Sequence, residues 1–175
     1  MIKTIWTQDI QQKDLNEVIL SYKMDSIENF FCNPQYVSIN QNQKNNATFF
    51  LLEDGDNFFL KSFLCRPIPK TTYFDITNAY GFGGHLSSTS DQAFIKSAYQ
   101  EFSLEAQKQN IIAEVFKVNP YENDLFVNSL NSFYNFINVR SVVSVDLQMD
   151  EEERFKSIYS HSNRKNIKKS IKKGL

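Results

Sequence analysis

Ala47-Thr48-Phe49-Phe50-Leu51-Leu52-Glu53, Asp54-Gly55-Asp56 and Asn57-Phe58-Phe59-Leu60-Lys61-Ser62-Phe63-Leu64-Cys65 follow one another without a gap. The two outer runs are rich in Phe and Leu, as strands are. The triplet between them supplies the positive φ that a tight hairpin loop needs. Arg66-Pro67-Ile68-Pro69 closes the second strand, because proline has no N–H to give a ladder. Thr72–Ile76 reads as a third strand, so the hairpin extends into an antiparallel meander.

Upstream, Lys3–Trp6 is a short strand. Thr7 can cap a helix in which Leu15, Val18, Ile19 and Tyr22 recur at helical spacing. A second short helix is expected over Ile27–Phe31, before Pro34, and Asn40–Asn46 is a polar loop. Downstream, Tyr80-Gly81-Phe82-Gly83-Gly84 is a glycine-rich bend. Ser88, Thr89 and Ser90 offer N-caps for a helix over Asp91–Gln109, whose Ile95, Ala98, Tyr99, Phe102 and Ala106 share one face. Ile111–Val118 is a strand, Leu125–Tyr134 a helix and Val139–Leu147 a long strand. Asp150 and Glu153 form a capping-box pattern. The helix from Glu151 carries Phe155, Ile158 and Tyr159, and from Ser162 its pattern changes. The order β-α-α-β-β-β-α-β-α-β-α is a mixed α/β (α+β) arrangement with a largely antiparallel sheet flanked by helices. A dinucleotide fold would place its glycine loop after the first strand.

At 175 residues with 41% apolar side chains, including 16 Phe and 8 Tyr, the chain can bury a core without disulfides or metals. Cys32 and Cys65 stand apart, as reduced thiols of a cytoplasmic protein do. No apolar run approaches the ~20 residues that cross a bilayer, and no secretory signal opens the chain. Charge is divided: residues 1–150 carry 11 basic and 17 acidic side chains, residues 151–175 carry 8 and 3. Residues 1–150 are therefore expected to be one domain, and 151–175 a basic connecting helix leading toward a second domain.

Three segments resemble one family. Tyr73-Phe74-Asp75-Ile76 running into Tyr80-Gly81-Phe82-Gly83-Gly84 is similar to the YGYGG element of the FemAB-like transferases. Ala113-Glu114-Val115-Phe116-Lys117-Val118-Asn119-Pro120 resembles their following strand, which often ends in Arg-x-x-Pro. Val145-Asp146-Leu147 with Ser162-Asn163-Arg164-Lys165-Asn166-Ile167-Lys168-Lys169 resembles a later stretch. The element order likewise matches an acetyltransferase-like (GNAT) sheet. The resemblance implies the first of two tandem GNAT domains. It also implies transfer of an acyl or aminoacyl group to an amine of a peptidoglycan or nucleotide-sugar precursor. The donor, acyl-CoA or aminoacyl-tRNA, is usually associated with the second domain. Lys117 stands where Arg is common, and His85 where Pro is common.

The resemblance and the residues together nominate Tyr80, Gly81, Gly83, Gly84, His85, Lys117, Arg164 and Lys168 as substrate contacts. Glycines let backbone approach a ligand, and N–H groups near a helix start suit anions; the alternative is a bend that needs glycine for its own geometry. No Gln/Arg-x-x-Gly-x-Gly run is present to hold the pyrophosphate of coenzyme A, so no cofactor is expected in this domain itself. His85 is a candidate general base by type, without a recognisable partner. The two His and two Cys lack the close spacing of a structural zinc site, so none is expected. Asp75, inside a strand, is either half of a buried ion pair or a cleft-facing acid. Arg164 to Lys173 bring six cations and no acid, which suits a substrate phosphate, a nucleic acid or an anionic membrane; a solvated linker helix is the plain alternative. The competing function is a non-catalytic module that docks an anionic partner through this helix. Its apolar stripe of Ile167, Ile171 and Leu175 leaves a homodimer open.

Overall fold

The computed structural model describes residues 2–21, 30–120, 124–139, 141, 142 and 145–174, with backbone alone at 124, 125 and 129. Two compact units emerge, Met1–Ile137 and Asn138–Leu175.

The first unit is mixed α/β. Its elements are β1 (Lys3–Thr7), α1 (Lys13–Ser21), α2 (Pro34–Ile39), β2 (Asn46–Asp54), β3 (Asn57–Pro67), β4 (Phe74–Thr77), β5 (Leu86–Ser87), α3 (Gln92–Lys108), β6 (Ile111–Val115) and α4 (Asp124–Leu130). The sheet runs β1-β2-β3-β4-β6, with β5 added to β3. Every pair is antiparallel except β4 with β6, which are parallel and joined through α3. The hairpin register pairs Asp54 with Asn57, and Gly55 takes φ +61°, as the turn triplet requires.

Strand periodicity of two divides the core between the faces of the sheet. Phe50, Leu52, Phe59, Phe63 and Ile76 face α3 and α4, where they meet Tyr99, Phe102, Phe126 and Leu130. Phe49, Leu51, Leu60 and Leu64 face α1 and α2, where they meet Leu15, Val18 and Val37. Both faces of β2 and β3 are covered, which is why these strands are continuously apolar rather than alternating with polar residues.

Several expectations shift. The helix expected at Ile27–Phe31 falls mostly outside the described residues; the described helix is α2, where Pro34 fills the first turn and the Asn33 side chain accepts from the Gln35 N–H. A proline there forfeits no helical bond. Thr7 does not start α1: its hydroxyl accepts from the Asp9 N–H, and Gln12 Oε1 accepts from the Leu15 N–H instead. Asp91, not Ser88–Ser90, caps α3 by accepting from Ala93 N–H. Strand β6 stops at Val115 rather than Val118. The described part of Val139–Leu147 forms no strand; Val139, Val142 and Leu147 are exposed, and a strand without a ladder neighbour has nothing to hold it extended.

The second unit carries α5 (Glu151–Ser157) and α6 (His161–Lys172). Asp150 accepts from the N–H groups of Glu152 and Glu153, as its capping pattern foretells. The change of pattern near Ser162 is a break: the Ser160 hydroxyl accepts from Asn163 N–H and starts a new helix.

Candidate functional site

The glycine-rich loop leaves the carboxyl end of β4 and runs beside the segment that follows β6. Gly83 N–H donates to the Lys117 carbonyl at 2.8 Å. Asn78 organises the bend: its Oδ1 accepts from Lys117 N–H at 3.0 Å, and its Nδ2 donates to the Gly81 carbonyl at 3.2 Å. Tyr80 through His85 and Lys117 thus gather at one end of the sheet. Tyr80 is 84% exposed, with its carbonyl accepting from the Tyr36 hydroxyl at 2.7 Å; Lys117 is exposed as well.

Two of the loop glycines, Gly81 and Gly83, are required by packing. Gly81 adopts φ +99°, and a Cβ there would collide with the Phe31 ring. A Cβ on Gly83 would lie 2.7 Å from the Asn78 Cβ. The expected link between this loop and a helix start does not form. Strand β5 intervenes, because Leu86 and Ser87 pair with β3, and the first turn of α3 is capped by Asp91.

Beneath the loop lies a polar cluster that motif reading overlooks. Lys61 is only 2% exposed, yet it belongs to the apolar face of β3 between Phe59 and Phe63. Its ammonium meets Glu114 Oε1 of β6 at 2.7 Å. The rings of Tyr99, Phe102, Phe116 and Tyr134 surround it at 4.8–5.8 Å from their centroids. Such a box offsets part of the desolvation cost of the cation. The Tyr134 hydroxyl donates to Glu114 Oε2 at 2.5 Å. Burial, followed by the neighbouring Glu114 charge, pushes the Tyr134 phenol far above its usual range, so it stays protonated as a donor. Phe116 connects the levels, its Cβ against Gly83 and its ring against Lys61. A groove of about 410 Å³ opens at the Glu114–Tyr134 edge of the cluster, lined by Phe102, Ser103, Ala106 and Phe133 among others.

His85 completes the cluster from the loop side. Its ring lies between Phe59 and Phe126, with centroids at 4.9 and 5.2 Å, and Nδ1 is 3.1 Å from the Tyr99 hydroxyl. Burial, and then the Lys61 charge, lower its pKa to about 3. The imidazole is therefore neutral and weakly basic near pH 7, which removes the reason for nominating it as a general base.

The remaining nominees belong to the second unit. Arg164 donates to the carbonyls of Lys156 and Tyr159 at 2.8 and 2.6 Å, capping the end of α5. Lys168 sits 5.9 Å over the Phe155 ring. Arg164 is thus engaged within its own unit, while Lys168, though over Phe155, is exposed like Lys165, Lys169, Lys172 and Lys173. Asp75 is an ion-pair member, receiving Arg66 through both oxygens at 2.6 and 3.0 Å, but the pair is partly exposed rather than buried. Among the described residues no three His, Cys, Asp or Glu side chains gather to hold a metal. Burial raises the Cys65 thiol pKa, which leaves it a poor nucleophile.

No family model matches the chain, and no curated protein matches it.

A signal for the cluster did exist. Lys61 falls in register with Phe59 and Phe63, and a lysine on a buried strand face requires an anion opposite it. Glu114, in an otherwise apolar strand, is that anion.

Proposed function

We propose that the first unit is the acceptor-holding half of a GNAT-type, FemAB-like acyl- or aminoacyl-transferase acting on an amine of a cell-envelope precursor. One observation carries this reading. An antiparallel meander passes through a single helix into a parallel β4–β6 pair, and a glycine-rich loop leaves the carboxyl end of β4 beside the end of β6. This juxtaposition brings Tyr80–Gly84 and Lys117, from two separate resemblance segments, to one place. Ligands of open α/β sheets bind at such carboxyl ends.

In the reaction proposed, the acceptor amine attacks the donor carbonyl, the new C–N bond forms, and the bond to the carrier breaks with loss of the amine proton. The protein supplies position. Exposed Tyr80 offers a ring for a sugar or base, and Lys117 a point charge for a phosphate. The Gly83 N–H is already bonded to Lys117, which favours an acceptor contact over a pyrophosphate cradle here. The donor, acyl-CoA or aminoacyl-tRNA, would be held elsewhere.

Thermal shift with nucleotide-sugar and peptidoglycan precursors tests the reading. Ligand at ~100 times its Kd adds about 2.7 kcal/mol, a rise of a few degrees. The expected result is a shift that Lys117→Ala abolishes. A shift with acetyl-coenzyme A alone would reassign the loop to the donor, and no shift with any of them would remove the reading.

A further inference from the structure

We infer that the lysine face of α6 docks on the phosphate backbone of double-stranded nucleic acid, independently of base sequence. With Lys165 set at 0° and about 100° per residue, Lys168, Lys169 and Lys172 fall at about −60°, +40° and −20°. Four cations thus share about 100° of the helix circumference, and Lys173 lies at the margin of that arc. All five are exposed and α6 contains no acid. No ion pair among the described residues engages any of them. Ile167 and Ile171 fall nearly opposite, at about 200° and 240°.

This arrangement selects the partner. A bilayer needs apolar side chains beside the lysines, where they can enter the lipid boundary, and here the isoleucines face away. A small phosphate ligand is held by groups that converge in a concave site, whereas a helix face is convex and spreads its charges. From Lys165 to Lys172 those charges are strung over roughly 10 Å of axis. One strand of a duplex presents a phosphate every ~3.4 Å, so about three come within reach. Single strands are held by stacking their bases on aromatic rings, and α6 carries no Phe, Tyr or Trp. Asn163, Asn166 and Arg164, the types that read base edges with paired hydrogen bonds, lie outside the lysine arc, and Arg164 caps α5. The contact is therefore with phosphates and not with sequence. This surface belongs to the second unit and does not rest on the transferase reading of the first.

The test is fluorescence anisotropy of the whole chain with labelled DNA and RNA duplexes of unrelated sequence, titrated from about 50 to about 200 mM salt. A single strand, polyglutamate and phosphatidylserine vesicles are measured in parallel. Duplex binding that ignores sequence is expected, and the tighter of the two duplexes identifies the source of the phosphates. Its log K should fall against log salt with a slope of about −3, which is about 60-fold over that range. Lys169→Gln should flatten the slope by about one. Ile171→Ser, on the opposite side, should change nothing. Circular dichroism checks that each variant keeps its helix. Failure to bind either duplex at the lower salt overturns the inference. So does a slope that Lys169→Gln leaves unchanged, or a loss of binding in Ile171→Ser. Equal or tighter binding to the single strand, polyglutamate or vesicles overturns it as well. None of these results would touch the thermal-shift test of the first unit.

Discussion

Lys61 and Glu114 set the energetics at the scale of single residues. A buried pair gains little over an apolar pair of the same shape, but half a pair is costly. Glu114→Ala should therefore lose about 3–5 kcal/mol of stability in urea unfolding. Lys61→Met combined with Glu114→Gln removes both charges and keeps an acceptor for Tyr134, and should stay within about 1.5 kcal/mol of the parent. A double variant as unstable as the single one would show that the rings, not the charge balance, dominate. His85 gives a pH signature. Its native pKa, about 3, lies below the unfolded value near 6.5, so the unfolded chain takes up a proton that the native one refuses. Stability is full above pH 6.5 and is lost as pH falls toward 3. Between pH 8 and 5 the loss from this residue is about 2 kcal/mol, and His85→Leu should flatten the denaturant-midpoint profile by that amount.

Elements show where sequence reading succeeds and where it fails. The β2–β3 hairpin and α3 were legible because their signals are local: a turn triplet and a helical period. Strand β5 was not, since two residues carry no periodicity and exist as a strand only because β3 lies beside them. Val139–Leu147 has the composition of a strand but lacks a described partner, and composition cannot supply one. Site reading met the same limit. The glycine motif was visible, whereas its packing cause, the Phe31 ring fifty residues upstream in sequence, was not. Gly81→Ala combines about 1–2 kcal/mol of left-handed strain with about 1–3 of overpacking, and should lower the melting temperature accordingly without a change in sheet content. In the second unit, Arg164→Ala removes two bonds to the end of α5. Helicity measured by far-ultraviolet circular dichroism should fall, whereas Lys165→Ala at an exposed neighbouring position should leave it unchanged.

For the molecule as a whole, charge is partitioned by unit. The first buries a lysine among aromatic rings beneath its glycine loop, and the second displays lysines to solvent. The sequence announced the second arrangement as a run of basic residues. It concealed the first, because Lys61 and Glu114 lie on β3 and β6, which neither neighbour each other in sequence nor pair directly in the sheet. Only the face they share, under α3, brings them together.

That burial gives the protein a reporter of its own. Among the described residues Lys61 is the buried lysine, so an amine-directed acylating label added to the folded chain should modify the others within minutes and spare this one. Mass spectrometry of its peptide would then time the opening of the sheet's interior, without a fluorophore or an engineered cysteine. Label entering Lys61 as fast as Lys117 would mean that the aromatic box is open in solution.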